Sequence, residues 1–169
     1  MTIYSFYIFD RHCNCIYNRE FTHLDHANAS GVGQVNKNND SNASKLLFGI
    51  LYSLKTISAK LIDSESEAET AVANALKSFT IGPYRAHYLE SLTRLKFVLV
   101  SDDNIDNLQA ILWELYSVYY IRNVVHNGLS PIEFKQSDDF KENETVGKIS
   151  NSGFITETDQ FLQSLRFFN

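Results

Sequence analysis

The chain has 169 residues, 44% of them hydrophobic and 13% aromatic, which is enough to form one domain around a real core. This composition excludes disorder of the whole chain, and a net charge of -5 disfavours nucleic-acid binding, which favours a basic surface. No apolar run reaches the roughly 18 residues that a membrane span requires. The apolar N-terminus lacks the basic region and cleavage site of a signal peptide, so we expect a cytosolic protein with reduced thiols.

An N-terminal β-hairpin is predicted first along the chain. Residues 2–9 place apolar side chains on both faces of an extended segment, which is typical of a strand covered on both sides. A polar turn follows at 10–14. Residues 15–21 then predict a second, more polar strand that completes the hairpin.

A long amphipathic helix is predicted after a polar loop. Residues 22–43 are rich in Asn, Ser, Gly and Asp and predict a long surface loop. The helix is predicted over 44–62, because leucines recur there at helical spacing. Its predicted core stripe consists of Leu47, Leu51, Leu54 and Leu61, widened by Leu46, Ile50 and Ile57.

Three strands are predicted in the middle of the chain, after an acidic, alanine-rich insert at 63–74. The first two, at 76–81 and 84–92, are joined by a Gly-Pro turn. The third, at 95–102, is the most apolar of the three. It is therefore predicted to lie at the centre of the sheet.

Two further helices complete the predicted domain, at 105–126, with Asp103 as its N-cap, and at 152–167. Their predicted core residues are Leu108, Ile111, Leu112, Leu115, Val118, Tyr119 and Val125 in the first, and Phe154, Phe161 and Leu165 in the second. Residues predicted to lie away from the core are Tyr116, Tyr120 and Val124, together with Phe48 and Tyr52 of the earlier helix. The order β-β-α-β-β-β-α-α predicts one layered α+β domain over 1–169.

Histidines and thiols near the N-terminus raise the question of a metal site. Zinc sites need four nitrogen or sulfur ligands, commonly in C-x2-C or H-x3–5-H pairs, whereas these thiols are spaced C-x-C and the chain has no others. The candidate ligands are His12, Cys13, Cys15 and His23, which could close a site only if the hairpin folded back on itself. We interpret the thiols as small hairpin residues and expect neither metal nor cofactor.

No catalytic motif is recognisable in the sequence, which lacks both a G-x-S-x-G elbow and a P-loop. Ser101, Asp102 and Asp103 end a strand before a helix, where helix capping accounts for them. His87 is expected to be a packed or exposed strand residue, and His126 lies where a helix dipole favours a cation. Surplus apolar residues on two helices favour a subunit over a free enzyme.

Four blocks of sequence carry a family resemblance, and they cover most of the chain in order. They are MTIYSFYIFDRHCNCIYNREF at 1–21, SNASKLLFGILYSL at 41–54, FTIGPYRAHYLESLTRLKFVLVSD at 79–102 and NGLSPIEF at 127–134. These blocks resemble the sedlin-like (longin-fold) core subunits of the TRAPP vesicle-tethering complex. The polar loop and the acidic insert depart from the family pattern, so nothing functional is carried onto them.

The resemblance implies a five-stranded antiparallel sheet with one helix on one face and two on the other. It makes the His/Cys segment the first hairpin and implies a non-enzymatic subunit of a guanine nucleotide exchange factor and vesicle tether in ER-to-Golgi transport. The implied partners are a second sedlin-like longin subunit, flanking subunits of the second TRAPP fold family and a Rab-family GTPase. The membrane would be contacted only indirectly, at the cis-Golgi and ER-Golgi vesicles.

Helical spacing, rather than a family motif, predicts a partner interface on the outer face of the first long helix. Its residues are Lys45, Phe48, Tyr52 and Lys55. The alternative is that loops of this domain cover them. Two other functions stay open: another longin-type module such as an adaptor small subunit, and a small thiol or metal protein using Cys13 and Cys15. A SNARE is disfavoured because no heptad segment is present.

Overall fold

The computed structural model describes residues 2–21, 41–60, 75–134 and 147–165. The acidic insert predicted at 63–74 lies outside the described residues, as does most of the polar loop predicted at 22–43. The helix predicted from residue 44 begins three residues earlier, at Ser41.

Within these described residues, five antiparallel strands form one sheet in the order β2-β1-β5-β4-β3. Their bounds are Ile3–Phe9 for β1, Cys15–Glu20 for β2, Ser78–Ile81 for β3, Tyr84–Glu90 for β4 and Lys96–Asp102 for β5. The most apolar of the later strands, β5, lies at the centre of the sheet, as predicted. The first strand lies beside it and is buried on both faces, as its sequence predicts.

In the described part of the chain, three helices cover the two faces of this sheet. Helix α1 is Ser41–Lys60; helix α2 begins as an α-helix at Gln109–Glu114 and continues as a π-helix over Leu115–Val125; helix α3 is Ser152–Ser164. Tyr7 and Phe9 of β1 pack in the core under α1, whereas Phe6 and Ile8 pack in the core under α2 and α3. Successive strand side chains point to opposite faces, so β1 contributes to both cores. The predicted element order and layering are confirmed.

The π-helical half of α2 buries a different set of residues from those that an α-helix would bury. The N–H that closes this segment donates to the carbonyl five residues earlier, at 2.9 Å. The wider turn returns to the same side after five and then four residues, so Leu115, Tyr120 and Val124 are buried. The predictions that Val118 and Val125 face the core, and that Tyr120 and Val124 do not, are wrong.

The start of α2 also differs from the prediction. The helix begins at Gln109, whose N–H donates to the side chain of Asn107 at 2.9 Å, so Asp103 is not its cap. Asp102 anchors the N-terminal strand instead, because it accepts a 2.6 Å hydrogen bond from the Tyr4 hydroxyl. This bond, together with burial, raises the pKa of Tyr4 to about 12.

A buried ion pair joins α3 to the edge strand β2. Arg19 is 1% exposed, and its guanidinium donates hydrogen bonds of 3.0 and 2.6 Å to the Asp159 carboxylate. Burial raises the pKa of Asp159 more than the Arg19 hydrogen bonds lower it. At the start of α3, the Asn151 side chain accepts from the N–H of Gly153 at 2.9 Å.

Candidate functional site on helix α1

Helix α1 packs on the sheet through one side only. Leu51 is buried, and Leu47 and Phe48 lie half-buried beside it. The Phe48 ring contacts Phe9 of β1, with ring centres 5.6 Å apart. Among the described residues, the sheet therefore covers one side of α1.

Three large aliphatic side chains of α1 are exposed: Leu46 at 70%, Ile50 at 40% and Ile57 at 54%. Spacings of four and seven residues place them on the same side of the helix. The prediction that they widen the core is wrong, because the sheet contacts Leu47 and Leu51 instead. We call these three residues the α1 stripe; such apolar rows on a surface are typical of protein–protein contacts.

A basic groove of about 620 Å³ runs beside α1, next to the turns that join β1 to β2 and β4 to β5. It is lined by Arg11, Cys13, Phe48, Leu51, Tyr52, Lys55, Thr56, Ala59, Lys60, Tyr88, Glu90, Arg94 and Lys96. Five of these side chains are cationic and one is a carboxylate. The local charge is therefore opposite to that of the whole chain, which is -5.

Three of the four residues predicted to form an interface meet in this groove. Phe48 forms part of its floor, Tyr52 is 63% exposed and stacks on Phe48 with ring centres 6.3 Å apart, and Lys55 reaches across to β4. Lys45 is exposed on the same helix but does not line the groove. Helical spacing located these residues, whereas the strand and turn residues opposite them come from distant sequence and were missed.

Glu90 is the acidic group of the groove, and its bonds hold it ionised. Burial alone would raise the pKa of its carboxyl, but hydrogen bonds from Lys55 and Tyr88 and the nearby Lys96 charge together lower it. The Tyr88 hydroxyl donates to Glu90 at 2.9 Å. Burial, followed by this bond, raises the pKa of Tyr88. The Glu90 carboxylate thus accepts hydrogen bonds from two side chains, Lys55 and Tyr88.

The N-terminal His and Cys residues form the first hairpin turn. Cys13 is exposed with a φ of 71°, and Cys15 donates from Sγ to the Tyr17 carbonyl at 3.3 Å. Within the described segments, no three His, Cys, Asp or Glu side chains are grouped to hold a metal ion. The fourth candidate ligand, His23, lies outside those segments.

His87 is a packed strand residue. It is buried on β4, and its Nε2 lies 2.9 Å from Ser101 Oγ, which itself donates to the Asp102 carbonyl. Burial and then the charge of Arg85 lower the pKa of His87 to about 4. The imidazole is therefore neutral near pH 7.

A sheet of this strand order, with one helix on one face and two on the other, has the α+β architecture of longin domains. None of the helices in the described residues is long and apolar enough to cross a membrane. The chain belongs to the Sybindin-like family, whose model matches residues 3–145.

Curated relatives of the chain have names from vesicle trafficking. It is 37% identical over 162 residues to "Trafficking protein particle complex subunit BET5" of Saccharomyces cerevisiae, covering 96% of each chain. It is 30% identical over 131 residues to "Transport protein particle subunit bet5" of Schizosaccharomyces pombe, covering 76% of this chain and 79% of the relative. It is 25% identical over 169 residues to "Trafficking protein particle complex subunit 1" of Homo sapiens, covering 100% of this chain and 97% of the relative.

Proposed function

We propose that this protein is a non-catalytic subunit of a trafficking protein particle (TRAPP) complex. The complex would act on a Rab-family GTPase as an exchange factor and tether vesicles between the ER and the Golgi. Membership of the Sybindin-like family and the names of the relatives support this proposal. The observation that carries it in this chain is the α1 stripe, an apolar surface that a partner subunit would cover.

The chain would contribute through binding alone. An assembly that binds the nucleotide-free GTPase more tightly than the GDP-bound form shifts the equilibrium toward release of GDP. This mechanism needs a rigid surface held in place by neighbouring subunits, and no bond is made or broken by this chain. Its location would be peripheral, at the cis-Golgi and ER-Golgi vesicles, through those neighbours.

The α1 stripe is assigned to the neighbouring longin subunit of the assembly. Its three side chains are between 40% and 70% exposed, so covering them would remove about half of each apolar side chain from water. Burial of that size contributes about 1 kcal/mol for each residue. The total, about 3 kcal/mol, corresponds to roughly a hundredfold in affinity.

The test is co-purification of the tagged full chain from its own cells, with quantification of the proteins recovered. Ile50→Glu places a charge in the covered surface, so we expect the other subunits to be lost. Val118→Glu is the matched control, because Val118 is 44% exposed on a different helix, close to the 40% of Ile50. We expect it to retain the complex.

Two results would contradict the proposal. Recovery of the chain alone, or with coat proteins of an adaptor assembly, would remove the TRAPP assignment. Equal loss of subunits in both variants would show that the α1 stripe is not the contact with the neighbouring subunit. Circular dichroism of each variant shows whether a loss reflects unfolding.

A further inference from the structure

The basic groove is separate from the α1 stripe and has a chemistry of its own. Its cations are Arg11, Lys55, Lys60, Arg94 and Lys96, and its carboxylate is Glu90. Such clustering in a chain of net charge -5 produces a local positive potential. A negatively charged molecule would therefore be attracted to this side of the domain.

Charges within the described part of the chain neutralise the groove only partly. Lys55 pairs with Glu90, and Arg11 pairs with Glu133. By contrast, Lys60 and Arg94 are exposed and make no ion pair with any residue that the structure describes. These two cations remain available to an external carboxylate or phosphate.

The floor of the groove is aromatic rather than polar. Phe48 and Tyr52 stack along α1, the Lys96 ammonium lies 5.7 Å from the Phe48 ring centre, and Tyr88 lines the opposite wall. A surface of this kind accepts an apolar side chain between its cations. Free phosphate or a single headgroup would leave it uncovered.

The length of the groove indicates the size of the ligand. Its α1 residues extend from Phe48 to Lys60, which is about 18 Å at the helical rise. An extended peptide advances about 3.3 Å for each residue, so roughly five residues would span this distance.

We propose that the basic groove binds an extended acidic segment of a partner protein, about five residues long. Its carboxylates would pair with Lys60 and Arg94, and an apolar or aromatic side chain would lie on Phe48 and Tyr52. This proposal does not depend on membership of the TRAPP complex. It concerns a surface of the isolated chain.

The test measures fluorescence anisotropy of a labelled random copolymer of glutamate and tyrosine with the purified full chain. We expect binding that weakens as salt rises, with none for a lysine–tyrosine copolymer. The double variant Lys60→Glu, Arg94→Glu should weaken binding at least about tenfold. Lys45→Glu is the control, because Lys45 is exposed on the same helix outside the groove, and it should bind as the unchanged chain does.

A further variant tests the aromatic floor. Tyr52→Ala should weaken binding of the glutamate–tyrosine copolymer about fivefold, because a ring contact is lost. It should leave binding of polyglutamate unchanged. If Tyr52→Ala weakened the binding of both polymers equally, the aromatic floor would have no role and the proposal would be overturned.

Other occupants give distinct results, and each would overturn the proposal. Vesicles of phosphatidylcholine and phosphatidylserine that bind through Lys60 and Arg94, when the copolymer does not bind, would indicate a lipid surface. Copolymer binding that appears only after the acidic residues of 63–69 are neutralised would assign the groove to the chain's own segment. Lack of copolymer binding, or an equal loss in Lys45→Glu, would show that the groove does not select acidic peptides.

Discussion

The ion pair between Arg19 and Asp159 gives the sharpest prediction about stability. The perturbation is Asp159→Asn, which preserves the size of the side chain and removes its charge. Arg19, which is 1% exposed, would then lose the Asp159 carboxylate charge, and one of the two hydrogen bonds that it donates to Asp159, at 3.0 and 2.6 Å, would meet an amide donor.

The expected loss in the free energy of unfolding follows from the burial of Arg19. Removing one partner of a buried pair leaves an uncompensated charge and costs about 3 kcal/mol of the free energy of unfolding. The pair between Arg122 and Glu157 provides the matched control, because it also involves α3 but its side chains are 67% and 31% exposed. Glu157→Gln should therefore cost only about 0.5 kcal/mol.

Urea denaturation, followed by tyrosine fluorescence and circular dichroism, measures both values. A double variant, Arg19→Met with Asp159→Leu, tests the reasoning further. Burial raises the pKa of Asp159 more than Arg19 lowers it, so desolvation of the pair is costly and an apolar pair should recover most of the loss. Equal costs for Asp159→Asn and Glu157→Gln, or a double variant less stable than Asp159→Asn, would refute this account.

Three other predictions concern stability and can be measured by the same denaturation experiments. The pKa of His87 is about 4 in the folded chain against an ordinary 6.5, so between these pH values the unfolded chain binds a proton that the folded chain does not. The free energy of unfolding should therefore decrease by about 2–3 kcal/mol as the pH falls from 6.5 to 4, and by much less in His87→Gln. Cys13→Gly should stabilise the chain by about 0.5 kcal/mol, because a φ of 71° strains a residue with a Cβ; an unchanged or lower midpoint would contradict this. Tyr120→Ala should cost about 3–4 kcal/mol, because its ring packs on Phe97, whereas Val118→Ala should change stability by less than about 0.5 kcal/mol; the reverse ranking would contradict the π-helical register.

The strands could be predicted from sequence because their signals are local. Alternation with a period of two, turn residues between the runs and the fully apolar β5 are all visible in short windows. The family resemblance then supplied the layering, which the structure confirms. Hairpin pairing requires only neighbours in sequence, so these elements need little tertiary information.

The faces of the helices were harder to predict, because burial depends on what packs beside them. Leu46 and Ile50 have the same apolarity as Leu47 and Leu51, and only the position of the sheet distinguishes the two rows. In α2 the change from α to π hydrogen bonding shifts the buried side by one position at Tyr120. No residue type in this part of the sequence predicts the change from α to π hydrogen bonding.

Only part of the candidate site could be predicted from the sequence, because the rest depends on contacts between distant segments. Phe48, Tyr52 and Lys55 are adjacent on one helix, so spacing alone brings them together. Arg94 and Lys96 reach the same groove through sheet pairing, since Lys96 lies opposite Phe9 of β1 and Glu90 of β4. Long-range register of this kind requires the folded sheet.

The central claim is that the chain acts only as a binding subunit within an assembly. Release of labelled GDP from a purified Rab GTPase tests it most directly, with the isolated full chain compared with the co-purified complex. We predict that the isolated chain leaves the release rate unchanged and that the complex accelerates it. Acceleration by the isolated chain, or an equally active assembly reconstituted without it, would contradict the account.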